Sequence, residues 1–90
     1  MKKRYNILFS GSVQGVGFRF TVRNLANRYR LTGGVRNTHD GKVEVEIEGD
    51  LLDLNNFLQS LQQEFPNNIS DYKKEELPVS EEYEGFYIKF

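Results

Sequence analysis

Hydrophobic residues recur with two different periods along this chain, and each change of period marks the end of one element and the start of the next. Tyr5, Ile7 and Phe9 alternate with Asn6, Leu8 and Ser10, which predicts a strand over 5–11 whose second face is partly apolar. From Phe20 to about Arg30 the spacing changes: Val22, Leu25, Ala26 and Tyr29 share one side, and Arg23, Asn24, Asn27 and Arg28 the other. That is an amphipathic helix beginning near Arg19. Leu31-Thr32-Gly33-Gly34 is expected to end it, since glycine takes left-handed backbone angles without steric cost. Val35 to Thr38 then reads as a strand. Asp40-Gly41 marks a hairpin, and beyond it Val43, Val45 and Ile47 alternate with Glu44, Glu46 and Glu48.

Gly49-Asp50 opens a second helix, with Asp50 as N-cap and Asp53 in the first turn, where a carboxylate suits the macrodipole. Leu54, Phe57, Leu58, Leu61 and Phe65 form its stripe until Pro66, which cannot continue it. Ile69 to Leu77 is polar on both sides around Lys73-Lys74-Glu75-Glu76, so it is expected at a sheet edge. Pro78 to Glu84 reads as loop, and Phe86, Ile88 and Phe90 as a short final strand. The order is β-α-β-β-α-β with an added C-terminal strand. It predicts an α+β fold: a ferredoxin-like sandwich with an antiparallel sheet and two helices on one face. This fold hosts many functions and does not choose among them.

Composition narrows the field. A chain of 90 residues buries only roughly 60–65% of its extended surface, so residues 1–90 are expected to form a single domain. Cysteine is absent, which removes thiolate chemistry and disulfides from consideration. No run suits a membrane span or a signal peptide, and the expected location is cytoplasmic. The near-neutral net charge conceals an asymmetry. Lys2, Lys3, Arg4, Arg19, Arg23, Arg28, Arg30 and Arg36 all precede the first acidic residue, Asp40. Two explanations fit: the basic half meets an anionic ligand, or the two halves neutralise each other on packing.

The candidate chemistry lies between the first strand and the first helix, in Gly11-Ser12-Val13-Gln14-Gly15-Val16-Gly17-Phe18-Arg19. Glycines let backbone N–H groups converge, a helix start adds unpaired donors, and an arginine grips two oxygens of one anion. The plain alternative is a tight β-to-α connection. Neither common nucleotide motif fits. Gly11 is not followed at Walker spacing by a Gly-Lys pair, and Phe20 stands where the dinucleotide fingerprint needs its last glycine. Phe18-Arg19-Phe20 raises RNA binding, but the strand that would stack bases carries Glu44, Glu46 and Glu48, so no nucleic-acid partner is expected. Phe18, Phe20 and Tyr29 are instead expected to pack the helix on the sheet. The same glutamates are read as a solvated face, and no metal is expected. His39, the only histidine, is read as a solvated turn residue.

The whole run from Gly11 to Arg19 resembles the acylphosphatase signature G-x-V-Q-G-V-G-F-R, and Thr32-Gly33-Gly34-Val35-Arg36-Asn37 resembles that family's second motif. The resemblance covers essentially the full chain. One departure is Gly34, where the family usually has tryptophan; a looser strand ahead of Asn37 is expected from it. The resemblance implies hydrolysis of small acyl phosphates to carboxylate and inorganic phosphate by a monomer, without metal, cofactor or covalent intermediate. In that reading Arg19 binds the phosphoryl group, and the backbone N–H groups of Gln14, Gly15, Val16, Gly17 and Phe18 surround its oxygens. Asn37 positions the attacking water, with Thr38 beside it. Phosphoryl transfer through a loose transition state asks for such positioning and charge stabilisation. Two alternatives stand beside it. One is a phosphate-binding regulatory module without turnover. The other is the acylphosphatase-like domain of carbamoyl-phosphate-handling hydrogenase maturation proteins, which begin much longer chains.

Overall fold

The computed structural model describes residues 1–90. The elements run β1 (Lys2–Gly11), α1 (Phe18–Arg28), β2 (Thr32–Asn37), β3 (Val43–Asp50), α2 (Leu51–Glu64), β4 (Ile69–Leu77) and β5 (Phe86–Lys89). They form a ferredoxin-like α+β sandwich with strand order β4-β1-β3-β2-β5. Three of the pairings are antiparallel, but β5 runs parallel to β2, so the sheet expected to be antiparallel is mixed at one edge. The loop after β4 is the cause. It crosses the open face of the sheet before β5 enters beside β2, held by Arg4 donating to the Pro78 carbonyl and Gly33 N–H donating to the Gly85 carbonyl.

Strand alternation sorts the side chains. Ile7 lies opposite Val45, Phe9 opposite Val43, and Val35 opposite Val45, all on the helix side and all buried. Val22, Leu25 and Ala26 of α1, with Leu54, Phe57 and Leu61 of α2, close the core above them. Each of these side chains apart from Ala26 contributes about 1.5–3 kcal/mol by leaving water.

The two helices start differently. Asp50 caps α2, its carboxylate accepting the Leu52 N–H at 3.1 Å and the N-terminal ammonium of Met1 at 3.1 Å. The ammonium first, and then the Leu52 N–H, hold that carboxyl below its ordinary range. α1 has no side-chain cap, no acidic residue in its first turn, and Gly17 in left-handed geometry at its start.

The end of α1 departs from the sequence expectation. The left-handed residue is Arg30, at φ 59°, not a glycine. Leu31 N–H donates to Ala26 O at 2.8 Å and Arg30 N–H to Asn27 O at 3.2 Å, the paired bonds of a Schellman turn, with Leu31 buried behind them. Thr32-Gly33-Gly34 therefore already belongs to β2. Gly33 is needed there: its φ is 141°, and a Cβ would lie 1.9 Å from the Glu46 carbonyl oxygen.

The glutamates of β3 are not simply solvated. Glu44 accepts from Arg36 at 2.7 Å, and Glu46 is paired with Arg4. Glu48 is only 5% exposed, its two oxygens accepting the Ser80 and Glu81 N–H groups at 2.9 Å each. The basic and acidic halves thus do meet, but only in part. Lys2, Lys3, Arg4 and Arg36 have acidic partners, whereas Arg19, Arg23, Arg28 and Arg30 form no ion pair.

Candidate active site

β1 delivers the chain to the loop through Gly11, whose φ is 120° and whose Cβ would stand 2.1 Å from the Asn68 carbonyl oxygen. Ser12 N–H donates to that carbonyl at 2.9 Å, and Asn68 Nδ2 returns a bond to the Ser12 carbonyl at 3.0 Å. Gly11 is therefore a packing residue against the start of β4. Gly15 and Gly17 shape the loop itself: their φ values are 76° and 78°, with open space around each. The N–H groups of Gln14 to Phe18 have no acceptor within the protein.

Two side chains fix this loop. Phe18 is buried, with its ring 5.4 Å from Phe9 and 4.9 Å from Phe65, so it pins the first residue of α1 between β1 and the end of α2. Gln14 Nε2 donates to the main-chain carbonyls of Thr38 at 2.9 Å and Lys42 at 2.8 Å, tying the loop to the β2–β3 turn.

Asn37 ends β2 opposite Val43, and the alternation that buries Val35 and Val43 also turns Asn37 to the helix side. Its Oδ1 is buried without a hydrogen-bond partner, the sole buried side-chain polar atom so placed. Such an atom costs about 1–3 kcal/mol unless something bonds to it. Thr38 makes no bond to Asn37. Its hydroxyl donates to Asp40 at 2.5 Å and accepts the Lys42 N–H at 3.0 Å, so it closes the turn. That bond holds the Asp40 carboxyl below its ordinary range. His39 is exposed in the same turn.

Arg19, in the first turn of α1, donates to the Lys89 carbonyl at 3.3 Å and lies 4.9 Å from the Phe90 ring centroid. One long bond leaves most of its donors available. Arg19 and Asn37 line one pocket of about 150 Å³ together with Gly15, Gly17 and Phe18, with Val13 and Phe20 completing the wall. Gln14, Val16 and Thr38 lie outside this lining. The sequence reading missed Phe20. Expected to pack helix on sheet, it is 49% exposed at the pocket mouth, with the Arg23 guanidinium 5.4 Å from its ring centroid. A signal was present: Phe20 falls outside the Val22, Leu25, Ala26 stripe.

Gly34 lies opposite Glu46, on the face of the sheet away from this pocket. Lys89 covers it, with Cε 2.9 Å from where a Cβ would sit and Nζ donating to the Tyr83 hydroxyl at 2.7 Å. That bond raises the Lys89 ammonium above its ordinary range. The space over this glycine is filled, and the residue does not touch Asn37's side of the strand.

Fold and pocket together define a ferredoxin-like α+β domain with a donor-lined cradle where its first helix begins. The model of the family described as Acylphosphatase matches residues 5–88. The chain is 40% identical over 88 residues to an acylphosphatase of Bacillus licheniformis, covering 97% of this chain and 98% of that one. It superimposes on the crystal structure of acylphosphatase from Bacillus subtilis with a TM-score of 0.90 at 34% identity, over 100% of both chains. It is also similar to T. kodakarensis HypF, with a TM-score of 0.85 at 33% identity, over 98% of this chain and 12% of that one. The chain belongs to the acylphosphatase family.

Proposed function

We propose that the chain hydrolyses the carboxyl-phosphate bond of small acyl phosphates by direct attack of a positioned water. The observation that carries this reading is the Oδ1 of Asn37, buried and unpartnered in the same pocket as Arg19 and the loop glycines. A neutral amide oxygen accepts a water proton without repelling the electron pair that attacks phosphorus. The uncapped start of α1 supports the other half of the reading. Its partial positive charge, the free N–H groups of Gln14 to Phe18 and the fork of Arg19 all match the charge spread over the equatorial phosphoryl oxygens.

The pieces act by position. The phosphoryl group sits in the cradle with two oxygens on Arg19, and the water sits on Asn37 in line with the bond to be broken. As water adds to phosphorus, the acyl oxygen leaves with the bonding electrons as a carboxylate. That is a good leaving group, so no general acid is required. The water's proton passes to a phosphoryl oxygen, giving carboxylate and inorganic phosphate. Gln14 and Thr38 act at one remove, holding the loop and the turn in register. Every group named belongs to one chain, which fits a monomer. No metal enters the reading.

Purified protein incubated with benzoyl phosphate and excess chelator tests it directly. The expected result is catalytic release of benzoate and phosphate, competitively inhibited by inorganic phosphate. Phosphate binding without hydrolysis would instead make the chain a binding module.

A further inference from the structure

We propose, resting on the acyl phosphate reading above, that Phe20 and Arg23 form the seat of the acyl group and that this seat favours acyl groups carrying a second negative charge. In-line displacement puts the entering water and the leaving oxygen on opposite sides of phosphorus. Asn37 Oδ1 is buried and Phe20 is half exposed, yet both line the same pocket, so the water side is the floor and the acyl side the mouth. The leaving carboxylate therefore emerges over Phe20.

Arg23 follows Phe20 at a three-residue helical spacing that stacks its guanidinium on the ring, and it has no carboxylate partner anywhere in the fold. Its position is unfavourable for α1 by itself. Arg19 and Arg23 are like charges four residues apart near a helix N-terminus, the arrangement that side-chain repulsion and the macrodipole both disfavour. An anion bound between them removes the conflict. The phosphoryl group answers Arg19, and a carboxylate or phosphate farther along the acyl chain answers Arg23.

The test compares two substrates of equal length, succinyl phosphate with a free terminal carboxylate and butyryl phosphate without one. Wild-type protein is expected to show the higher kcat/KM for succinyl phosphate. Arg23→Gln is expected to reduce that preference roughly two- to fivefold, the effect of one exposed ion pair. Because the preference is a ratio within one sample, partial misfolding of the variant does not alter it. Arg28→Gln is the control: it removes the same charge from the same helix, but at a groove lined by Ser60, Gln63 and Glu64. It is expected to leave the preference unchanged. Equal losses in both variants would show a general field of the helix, and a wild-type ratio near one would show no seat at all; either result overturns the proposal. Hydrolysis of neither substrate would instead overturn the acyl phosphate reading beneath it.

Discussion

Gln14 reaches across to the backbone of Thr38, its amide donating to that carbonyl at 2.9 Å and to the Lys42 carbonyl at 2.8 Å. Through these bonds, the loop that presents N–H groups and the turn that follows Asn37 are one rigid unit. In the proposed function, the distance between the loop that would hold the phosphoryl group and the Asn37 amide that would hold the water then depends on this one side chain.

Gln14→Glu is expected to be worse than Gln14→Ala. Alanine removes two hydrogen bonds worth about 0.5–1.5 kcal/mol each, while the Lys42 carbonyl keeps the Thr38 N–H at 2.8 Å and the Thr38 carbonyl keeps the Gly41 N–H at 3.4 Å. A glutamate carboxylate adds repulsion against the same two oxygens. Thermal unfolding and benzoyl phosphate turnover, measured together on both variants, check the ranking; a Glu variant equal to wild type would remove Gln14 from this role.

Arg19 and Asn37 should fail differently. Arg19→Ala is expected to lose turnover and inhibition by inorganic phosphate together, since the proposed function rests binding of the anion on it. Asn37→Ala is expected to lose at least ~10²-fold in kcat, the scale of a misplaced reactant, while phosphate still inhibits. Identical profiles for the two variants would contradict the division of roles.

The neighbouring glycines of β2 make opposite predictions. Gly33→Ala places a Cβ 1.9 Å from a main-chain carbonyl oxygen at a φ of 141°, so it is expected to unfold the protein or displace β3. Gly34→Ala meets chiefly the flexible end of Lys89 and is expected to change stability by less than about 1 kcal/mol. Its turnover should match wild type, because the added methyl lies on the face away from Asn37. Chemical denaturation of both variants measures the contrast.

Arg30 occupies a left-handed position that costs a non-glycine residue about 1–2 kcal/mol. Arg30→Gly removes that strain but adds freedom to the unfolded chain, so a net gain of up to about 1 kcal/mol is expected. An increased denaturation midpoint with unchanged turnover is the predicted result.

The element order, the hairpin at Asp40-Gly41, the cap at Asp50 and the inward faces of β1 and β3 were legible in the residues. Periodicity reports burial on one side, and those segments are buried on one side. It failed where a partner came from far along the chain. The expected helix-ending glycines became a strand because β3 and β5 supply hydrogen bonds to Gly33 and its neighbours. The expected solvated glutamates became paired or buried because Arg4, Arg36 and residues 78–85 fold over them. The direction of β5 had no local signal either.

The sequence by itself determined the family and the order of strands and helices, because a long motif and two periodicities are local properties. Only the tertiary structure decided which of those residues share a pocket. It moved Gly11 from the cradle to the β4 contact, turned Gly34 away from Asn37, and set Phe20 at the mouth. It also separated the arginines that neutralise glutamates from those on α1 that are left without a partner. The physical reason is that a side chain's charge and hydrogen-bonding demands are met in space, by residues the chain brings back from tens of positions away.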